Sequence, residues 1–362
     1  MKKLTLALTI LSILCSCEKL FFEENYDSSD PYESFDYLWQ QVDERYSFFE
    51  VKDINWEEVG ERHRAMIYPE IDDDSLFRVM GSMLTELKDD HSNLSSSFNV
   101  SFFGLRYQKN DNYESTIVVK NYIGTDFYIS GPFRHDFIDH NLVPSVGREQ
   151  IAYIRFGSFT GTTSDVNMNF ILDRYRDTDG LIFDLRENGG GAVSDVFRIL
   201  SKFIEEETTV YYSRIRNGSD HDDFSELEPA VASPSSFNYV DKPVIFLCDR
   251  GTYSAGSFTS LSTKAIDNIT LMGDTTGGGL GLPNGGQLPN GWNYRFSVTQ
   301  ALTKEQAEKI KSNDQALIDE VNAENYENGV PPDIYVTLDW TNLNTDEILE
   351  RAIQEILNDP RN

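Results

Sequence analysis

The residues best suited to chemistry form a turn in which a serine lies between two glycines. The run Gly251-Thr-Tyr-Ser254-Ala-Gly256 follows an apolar stretch at 243–248 and precedes a helix-like segment at 257–267. A serine at a tight strand-to-helix turn presents its hydroxyl outward, beside the free backbone N–H groups of the new helix. That arrangement suits a nucleophile whose attack creates an oxyanion. Since most serines at such turns only cap a helix, the run alone leaves both interpretations open.

A second turn, upstream of the first, is rich in glycine. Residues 180–191 read Gly-Leu-Ile-Phe-Asp-Leu-Arg-Glu-Asn-Gly-Gly-Gly and precede a predicted helix at 193–204. Because glycines carry no Cβ, their backbone N–H groups can approach a bound group closely. No Lys-Ser or Lys-Thr pair follows the glycines, which argues against a phosphate-binding loop. A plain β-to-α turn is the simpler alternative.

Four motifs in this order resemble a known family. They are Asp-Leu-Arg-x-Asn-x-Gly-Gly at 184–191, Thr-x-Ser-Ala-Gly at 252–256, Gly-Asp-x-Thr-Gly at 273–277 and Gly-Val-x-Pro-Asp-Ile at 329–334. Together they resemble the C-terminal-processing, or tail-specific, serine peptidase family, closest to its tricorn-core and retinoid-binding-protein-like branch. On this resemblance we predict Ser254 as the nucleophile, with the backbone N–H groups of Gly190 and Ala255 as the oxyanion hole.

The general base is the point at which the sequence departs from part of this family. Members with a Ser–Lys dyad carry the lysine in Gly-Glu-x-Thr-x-Gly-Lys-Gly, whereas Gly279 stands in its place here. A serine hydroxyl must lose its proton as it attacks, so another base is needed. In the tricorn branch a Leu-x-Asp-x-His-Ser/Thr segment supplies it, and residues 87–92 match. The resemblance therefore implies His91 as the base. A histidine favoured by a helix C-terminus is the simpler alternative.

A histidine base needs an acceptor that orients its ring. The resemblance implies the acidic residue before Gly-Val-x-Pro-Asp, which here is Glu327. Its match to the family motif is offset by one residue, so Glu324 and Asp90 are the alternatives. No pair of histidines has the spacing of a zinc-binding helix, and neither a metal nor another cofactor is expected.

The first residues predict export and a lipid anchor. A short basic start is followed by an apolar stretch at 4–14, which is too short to span a bilayer and typical of a secretory signal. It ends in Leu-Cys-Ser-Cys17, which resembles a bacterial lipobox, so we expect a signal peptide at 1–16 and a lipid on Cys17. An ordinary cleaved signal is the alternative. Residues 17–30 are acidic enough to form a tether. The protein is therefore expected in the bacterial cell envelope, lipid-anchored and on its periplasmic or outer face.

Charge and cysteine usage are consistent with this location. The formal net charge of −29 argues against nucleic acid or an anionic lipid surface as a partner, and it does not identify the substrate, which the family resemblance implies to be a protein or peptide. Cys248 lies in an apolar run and is predicted to be an inert core residue.

The N-terminal half predicts a helical domain and a β-rich insertion. Apolar side chains recur at helical spacing over 35–46 and 75–88, with Ser75 as the predicted cap of the second helix. These helices define a helical cap domain at 31–92, like that of the tricorn and retinoid-binding branches. Residues 93–147 show strand alternation, for example at 115–120, and are too few for the PDZ domain that many family members carry there. We expect a reduced β-rich insertion.

The C-terminal half predicts an α/β core. Strand and helix patterns alternate from residue 151, which defines a core at 148–340. The resemblance specifies a crotonase- or ClpP-like core built as a spiral of ββα repeats. The glycine-rich stretch 273–291 is predicted to be a mobile active-site loop. Asn344-x-x-Glu347 predicts a capping box for a C-terminal helix within 341–362.

Two functions of different classes follow. The first is a membrane-anchored serine endopeptidase that acts on extracytoplasmic proteins or peptides through Ser254 and His91. The alternative is a catalytically inactive lipoprotein that holds a peptide or apolar ligand on the same scaffold. The missing lysine, and Ser257 where relatives often have Glu, favour the alternative; Ser254, His91 and the glycine-rich turn together favour the enzyme.

Overall fold

A helical N-terminal part and an α/β part make up the computed structural model, which describes residues 30–104 and 112–362. The predicted signal peptide, the predicted lipid-bearing Cys17 and residues 17–29 of the predicted tether lie outside the described residues. Within the described ranges, none of the helices combines the length and the apolar character needed to cross a membrane.

The N-terminal part is built from amphipathic helices that bury one face. Their bounds are α1 Pro31–Arg45, α2 Phe49–Lys52, α3 Trp56–Arg64 and α4 Asp73–Thr85. The predicted cap of α4 is wrong. Asp72 is the cap, because its carboxylate accepts the backbone N–H of Ser75 at 3.0 Å. A carboxylate there also interacts favourably with the positive end of the helix dipole, so α4 begins before Ser75.

The remaining elements alternate strands and helices. In chain order they are β1 Asn93–Ser95, α5 Ser115–Val118 continuing as a π-helical turn Val119–Ile123, β2 Tyr128–Ser130, β3 Phe133–Phe137, β4 Ile151–Phe156, α6 Asp165–Arg174, β5 Gly180–Asp184, α7 Val193–Leu200, β6 Thr208–Ile215, β7 Glu228–Ala232, β8 Val244–Cys248, α8 Ala255–Thr263, β9 Ile269–Gly273, β10 Pro283–Gln287, β11 Asn293–Ser297, β12 Thr299–Leu302, α9 Lys304–Lys311, α10 Gln315–Ala323, a 3-10 turn Tyr326–Asn328, β13 Ile334–Tyr335 and α11 Glu347–Leu357. The predicted α/β core with a helical N-terminal region is confirmed.

The main sheet brings the two predicted turns together. Within the described residues it has seven strands in the order β13-β9-β8-β5-β4-β3-β2, and β4, β5, β8 and β9 run parallel. These strands are continuous apolar runs because both faces of the sheet are covered. Since β5 and β8 are parallel neighbours, the glycine turn after β5 and the serine turn after β8 lie at the same edge.

The strand expected at 115–120 is not formed. This segment is helical, and the Glu114 side chain caps it by accepting the N–H of Thr116. Its buried side chains Ile117, Val118 and Tyr122 pack in the same cluster as the C-terminal helix. β-branched residues favour strands only in the absence of such a packing partner. Strands β2 and β3, also from the 93–147 region, join the main sheet.

The glycine-rich segment 273–291 leads into a β-hairpin, so it is not simply a mobile loop. β10 and β11 pair antiparallel, and β11 also pairs with β1, with Asn93 opposite Arg295. The hairpin side chains Trp292, Tyr294 and Phe296 belong to the apolar core of the N-terminal helices. A strand from residues 293–297 therefore fixes the end of the N-terminal part.

The C-terminal helix α11 is attached by a buried ion pair. Its cap is Asp346, which accepts the N–H of Leu349 at 3.0 Å, and not the predicted Asn344. Asp346 also pairs with Arg186 at 2.8 Å, and Arg186 pairs with Asp184 at 2.7 Å, all with their side chains buried. The predicted burial of one face of α11 is confirmed for Ile348, Ala352, Ile353 and Ile356.

Candidate active site

Ser254 lies at the turn from β8 to α8 in a conformation that is unusual for a residue with a side chain. Its φ is 54° and its ψ is −121°, outside the regions that L-residues prefer. Its N–H donates to the Gly278 carbonyl at 3.0 Å. Such strain costs on the order of 1–3 kcal/mol, persists only where the surroundings impose it, and is common at functional sites.

Asp249 organises both turns, although sequence reasoning did not single it out. Its Oδ1 accepts the N–H of Gly251 at 2.9 Å and of Thr252 at 3.1 Å, which shapes the serine turn. The same oxygen accepts the N–H of Glu187 at 2.8 Å, on the turn after β5. One carboxylate therefore holds the serine turn and the glycine turn in a fixed relation.

The structure brings His91 to Ser254. Nε2 of His91 lies 3.0 Å from Oγ of Ser254, although the two residues are 163 positions apart. His91 comes just before β1, whose pairing with β11 fixes its position. Its ring centroid lies 5.1 Å from that of Tyr253. The predicted nucleophile and the predicted base are thus within hydrogen-bond distance.

Asp89, two residues before His91, is hydrogen-bonded to both His91 and Tyr253. Its Oδ1 accepts the backbone N–H of His91 at 2.8 Å and the hydroxyl of Tyr253 at 3.2 Å. Its Oδ2 accepts the hydroxyls of Ser297 at 2.8 Å and Ser92 at 3.2 Å. Burial raises the pKa of Asp89, but Lys52, His91 and these hydrogen bonds outweigh it and hold the pKa below the ordinary value. Asp89 is therefore a buried anion.

His91 is held in its neutral form. Burial lowers its pKa below the ordinary 6.5, and Arg295 and Lys52 act in the same direction, while Asp89 and the Gly281 carbonyl oppose them. Nδ1 has no hydrogen bond of good geometry with any described residue. A neutral imidazole is the form that can accept a proton from a hydroxyl.

Glu327 is buried in the site but does not orient His91 as predicted. Its Oε2 accepts the N–H of Leu280 at 2.7 Å, and its Oε1 lies 3.3 Å from Nζ of Lys52. No hydrogen bond of the described residues joins it to His91. Burial raises the pKa of Glu327 to about 7, although Lys52 opposes the shift. Glu327 is thus part of the site, but its carboxylate binds the backbone N–H of Leu280 and not the imidazole.

The two alternative acceptors do not reach the imidazole either. Glu324 is exposed at the end of α10. Asp90 accepts the N–H of Gly104 at 2.7 Å, on the segment that follows β1.

The two predicted oxyanion donors differ in their present hydrogen bonds. The Ala255 N–H bonds to no acceptor in residues 30–104 and 112–362. The Gly190 N–H donates to the Asn188 side chain at 3.0 Å. Gly190 has φ 91°, and a Cβ there would lie 2.7 Å from the Cβ of Ser254. Only glycine lets the turn after β5 approach the serine this closely.

An open cavity of about 530 Å³ lies beside Ser254. Its lining combines backbone of both turns with polar side chains: Asp90, Gly157, Ser158, Thr160, Glu187, Gly189, Gly190, Arg250, Gly251 and Tyr253. A cleft of this size can hold a few residues of an extended chain. Among the described residues, the carboxylates that could share a metal ion are those of Asp220, Asp222 and Asp223, which are all exposed and are not predicted site residues.

Comparison with known families decides the class of protein. Residues 150–336, more than half of the 362-residue chain, match the model of peptidase family S41, and residues 29–85 match the tricorn protease C1 domain. The chain belongs to peptidase family S41. This is a family of serine peptidases, and the family predicted from the four motifs is confirmed.

Curated relatives match this S41 peptidase over part of their length. The carboxy-terminal processing protease CtpA of Bacillus subtilis is 26% identical over 155 residues, which cover 42% of this chain and 31% of CtpA. The tricorn protease of Thermoplasma volcanium is 33% identical over 184 residues, which cover 50% of this chain and 15% of tricorn. The chain thus spans less than a third of the length of either relative.

Solved structures match nearly the whole chain. A candidate peptidase from Parabacteroides merdae is 34% identical, with a TM-score of 0.78, covering 91% of this chain and 97% of that one. Mature CPAF, at 10% identity and a TM-score of 0.61, covers 92% of this chain and 98% of its own. The second similarity concerns the fold alone.

Gly279, which stands in place of the lysine of Ser–Lys members of the S41 family, is packed against Tyr253. Its φ is 75°, and a Cβ there would lie 2.4 Å from the tyrosine ring. Gly279→Ala should therefore destabilise the protein by about 2 kcal/mol or more, since both the backbone and the ring oppose the methyl group. Urea unfolding would measure the loss.

Gly291 is the matched control for this substitution. Its φ is 86°, but nothing lies within 4 Å of the added Cβ. Gly291→Ala carries only the backbone cost, about 1 kcal/mol. Equal losses for the two variants would contradict the packing argument.

Proposed function

We propose that this chain is a membrane-anchored serine endopeptidase in which Ser254 attacks the peptide bond and His91 is the general base. The observation that carries the proposal is the 3.0 Å contact between Nε2 of His91 and Oγ of Ser254. The two residues come from different parts of the chain, and a polar, open cleft is lined by residues next to each of them in sequence, Asp90 and Tyr253. A chance contact would not also be expected to hold a buried neutral histidine beside a strained serine.

The geometry supports an acyl-transfer sequence. Ser254 Oγ attacks the substrate carbonyl carbon while its proton passes to Nε2 of His91. The tetrahedral oxyanion is stabilised by the Ala255 N–H and by the Gly190 N–H once that group leaves Asn188. The imidazolium then donates its proton to the leaving amine, which releases the first product and leaves an acyl-enzyme. Water, deprotonated by His91, hydrolyses the ester and restores Ser254.

Asp89 supports this cycle electrostatically. Its carboxylate accepts the His91 backbone N–H and is held ionised by its surroundings. A nearby anion stabilises the imidazolium that forms during attack. Asp89 thus takes the supporting role that the resemblance assigned to Glu327, while Glu327 fixes the backbone around Leu280.

A fluorophosphonate probe tests the proposal directly, because it reacts only with an activated serine. The full chain should be labelled at one serine, and peptide mapping should place the label on Ser254. Heat-unfolded protein is the control and should not react. A folded protein that binds peptides but takes up no probe would instead favour the inactive ligand-binding alternative.

The lipid anchor gives a further prediction. The substrates proposed are extracytoplasmic proteins or peptides, because the lipobox would hold the enzyme at the membrane surface. Cys17→Ala should move the protein from the membrane fraction to the soluble fraction, since a covalent lipid would be lost. Fractionation followed by immunoblotting measures this.

Cys15→Ala is the matched control, because it removes a cysteine two residues away and keeps the lipobox cysteine. It should stay with the membranes. If Cys17→Ala also stays there, the anchor is assigned wrongly.

A further inference from the structure

A buried lysine from the N-terminal helices lies behind the Ser254–His91 pair. Lys52 ends α2, and its Nζ lies 3.3 Å from Oε1 of Glu327 and donates to the Lys88 carbonyl at 3.2 Å. The side chains of Lys52 and Glu327 are 4% and 2% exposed. Lysine is almost never buried this deeply without a specific partner. None of the four motifs includes Lys52.

Two aromatic rings and two acidic side chains surround Lys52. The rings of Tyr46 and Phe48 lie 5.8 and 5.5 Å from Nζ, and they exclude water on that side. On the other side are the acids Glu327 and Asp89. Burial is the largest influence on the pKa of both carboxyl groups, and the lysine charge lowers each of them.

The same charge acts on His91. Burial lowers the pKa of His91 most, with Arg295 from β11 and Lys52 in the same direction and Asp89 opposed. Tyr253 also faces this cluster, since its hydroxyl donates to Asp89. Lys52 is therefore a buried cation that pairs with Glu327 and whose charge also acts on Asp89 and His91.

We propose that Lys52 is a positioning residue for the hydrolysis: its charge keeps Asp89 ionised and His91 neutral, and it favours the ionised form of Glu327. The proposal rests on the proposed function, because Lys52 acts through His91. Without the ammonium group, two carboxylates would be buried close together, and such a pair takes up a proton. Loss of a nearby positive charge also makes the imidazole easier to protonate. Loss of the lysine charge should therefore raise the pKa of Asp89, Glu327 and His91.

Lys52→Met tests this, because methionine keeps much of the apolar stem and removes the charge. A charge in direct contact shifts a pKa by roughly 1–3 units, but burial, Asp89 and Arg295 all influence the pKa of His91 more than Lys52 does. The acid limb of kcat/KM should therefore move to higher pH by roughly half a unit, with about a threefold loss of activity at a pH on that limb. The NMR titration of His91 should move in the same direction. Lys52→Arg, which keeps the charge, should leave both near wild type.

Lys304→Met is the matched control, since Lys304 is exposed at the start of α9. It should leave the limb and the titration unchanged. If Lys52→Met lowers the melting temperature but moves neither the limb nor the His91 titration, Lys52 is merely structural and the proposal is overturned. The His91 signal is identified by its loss in His91→Gln.

Two further measurements keep the outcomes separate. If Lys52→Met does not fold, it is combined with Glu327→Gln. Asp89 is then the remaining carboxylate of the pair, so the repulsion between two buried carboxylates is removed. Lys52→Met should still raise the pKa of His91 relative to Glu327→Gln alone, and an unchanged pKa would overturn the proposal. Failure of the proposed function appears elsewhere, as a wild-type chain that is not labelled at Ser254. The His91 titration needs no turnover and tests Lys52 in that case too.

Discussion

Ser254→Ala should lower kcat for peptide cleavage by about 10⁴-fold or more and abolish fluorophosphonate labelling. Removal of the nucleophile of a serine peptidase leaves only the contribution of binding and of the oxyanion donors. The alanine variant should still bind substrate, so KM should change far less than kcat. Steady-state kinetics with a fluorogenic peptide measure both constants.

Ser262→Ala is a matched control in the same helix. The Ser262 hydroxyl is buried and donates only to the Phe258 carbonyl one turn earlier, a bond of small net value. This variant should keep labelling and cleavage. Cleavage that survives in Ser254→Ala would refute the nucleophile.

His91→Ala should lower kcat by about 10³-fold or more, since Ser254 would have no base at 3.0 Å to take its proton. The cavity left by the ring should admit free imidazole, so added imidazole should restore part of the activity. His140→Ala, at an exposed histidine, is the control and should have wild-type kinetics.

The pH dependence of the wild-type activity also tests whether His91 is the general base. The neutral imidazole is the active form, so kcat/KM should fall as pH falls through the pKa of His91, which burial places below 6.5. Ionisation of Glu327 near pH 7 is a second event. In Glu327→Gln only the lower limb should remain. A His91→Ala variant with full activity and the wild-type pH profile would end the Ser–His proposal.

The sequence predicts this site through short motifs that specify both conformation and chemistry. The strand-to-helix turn marks Ser254 as a candidate, but the roles of Ser254 and His91 follow from the resemblance of their motifs to those of a known family. The parallel pairing of β5 with β8 then follows from the βα pattern. The conformation of a residue can be predicted in this way when the residues that determine it are close in sequence.

The contacts of Glu327 and Lys52 could not be predicted in the same way. Lys52 lies in a short helix among aromatic residues, where a charge usually faces solvent; its burial depends on a turn 275 positions away. The sequence signal that would have pointed to Asp89 is its position two residues before His91, which allows it to accept the His91 backbone N–H. Side-chain contacts between distant segments depend on packing that no local pattern encodes.

Local choices between capping residues also depend on context. Ser75 and Asn344 are good caps by type, but Asp72 and Asp346 occupy the cap positions. Asp346 is held there by Arg186, a residue from the glycine turn, so the start of α11 is set by a tertiary contact. The helix itself was predictable; its first residue was not.

The pairing of β1 with β11 determines the stage of protein synthesis at which the proposed catalytic pair can form. His91 leaves the ribosome about 200 residues before Arg295, which lies opposite Asn93 in that pairing. Until β11 emerges, β1 lacks the strand with which it pairs in the structure, and His91 is not held beside Ser254. Under the proposed Ser–His mechanism, a chain in which this strand has not yet been synthesised therefore cannot cleave a peptide. The proposed catalytic pair can therefore form only after synthesis has passed β11, which ends at Ser297.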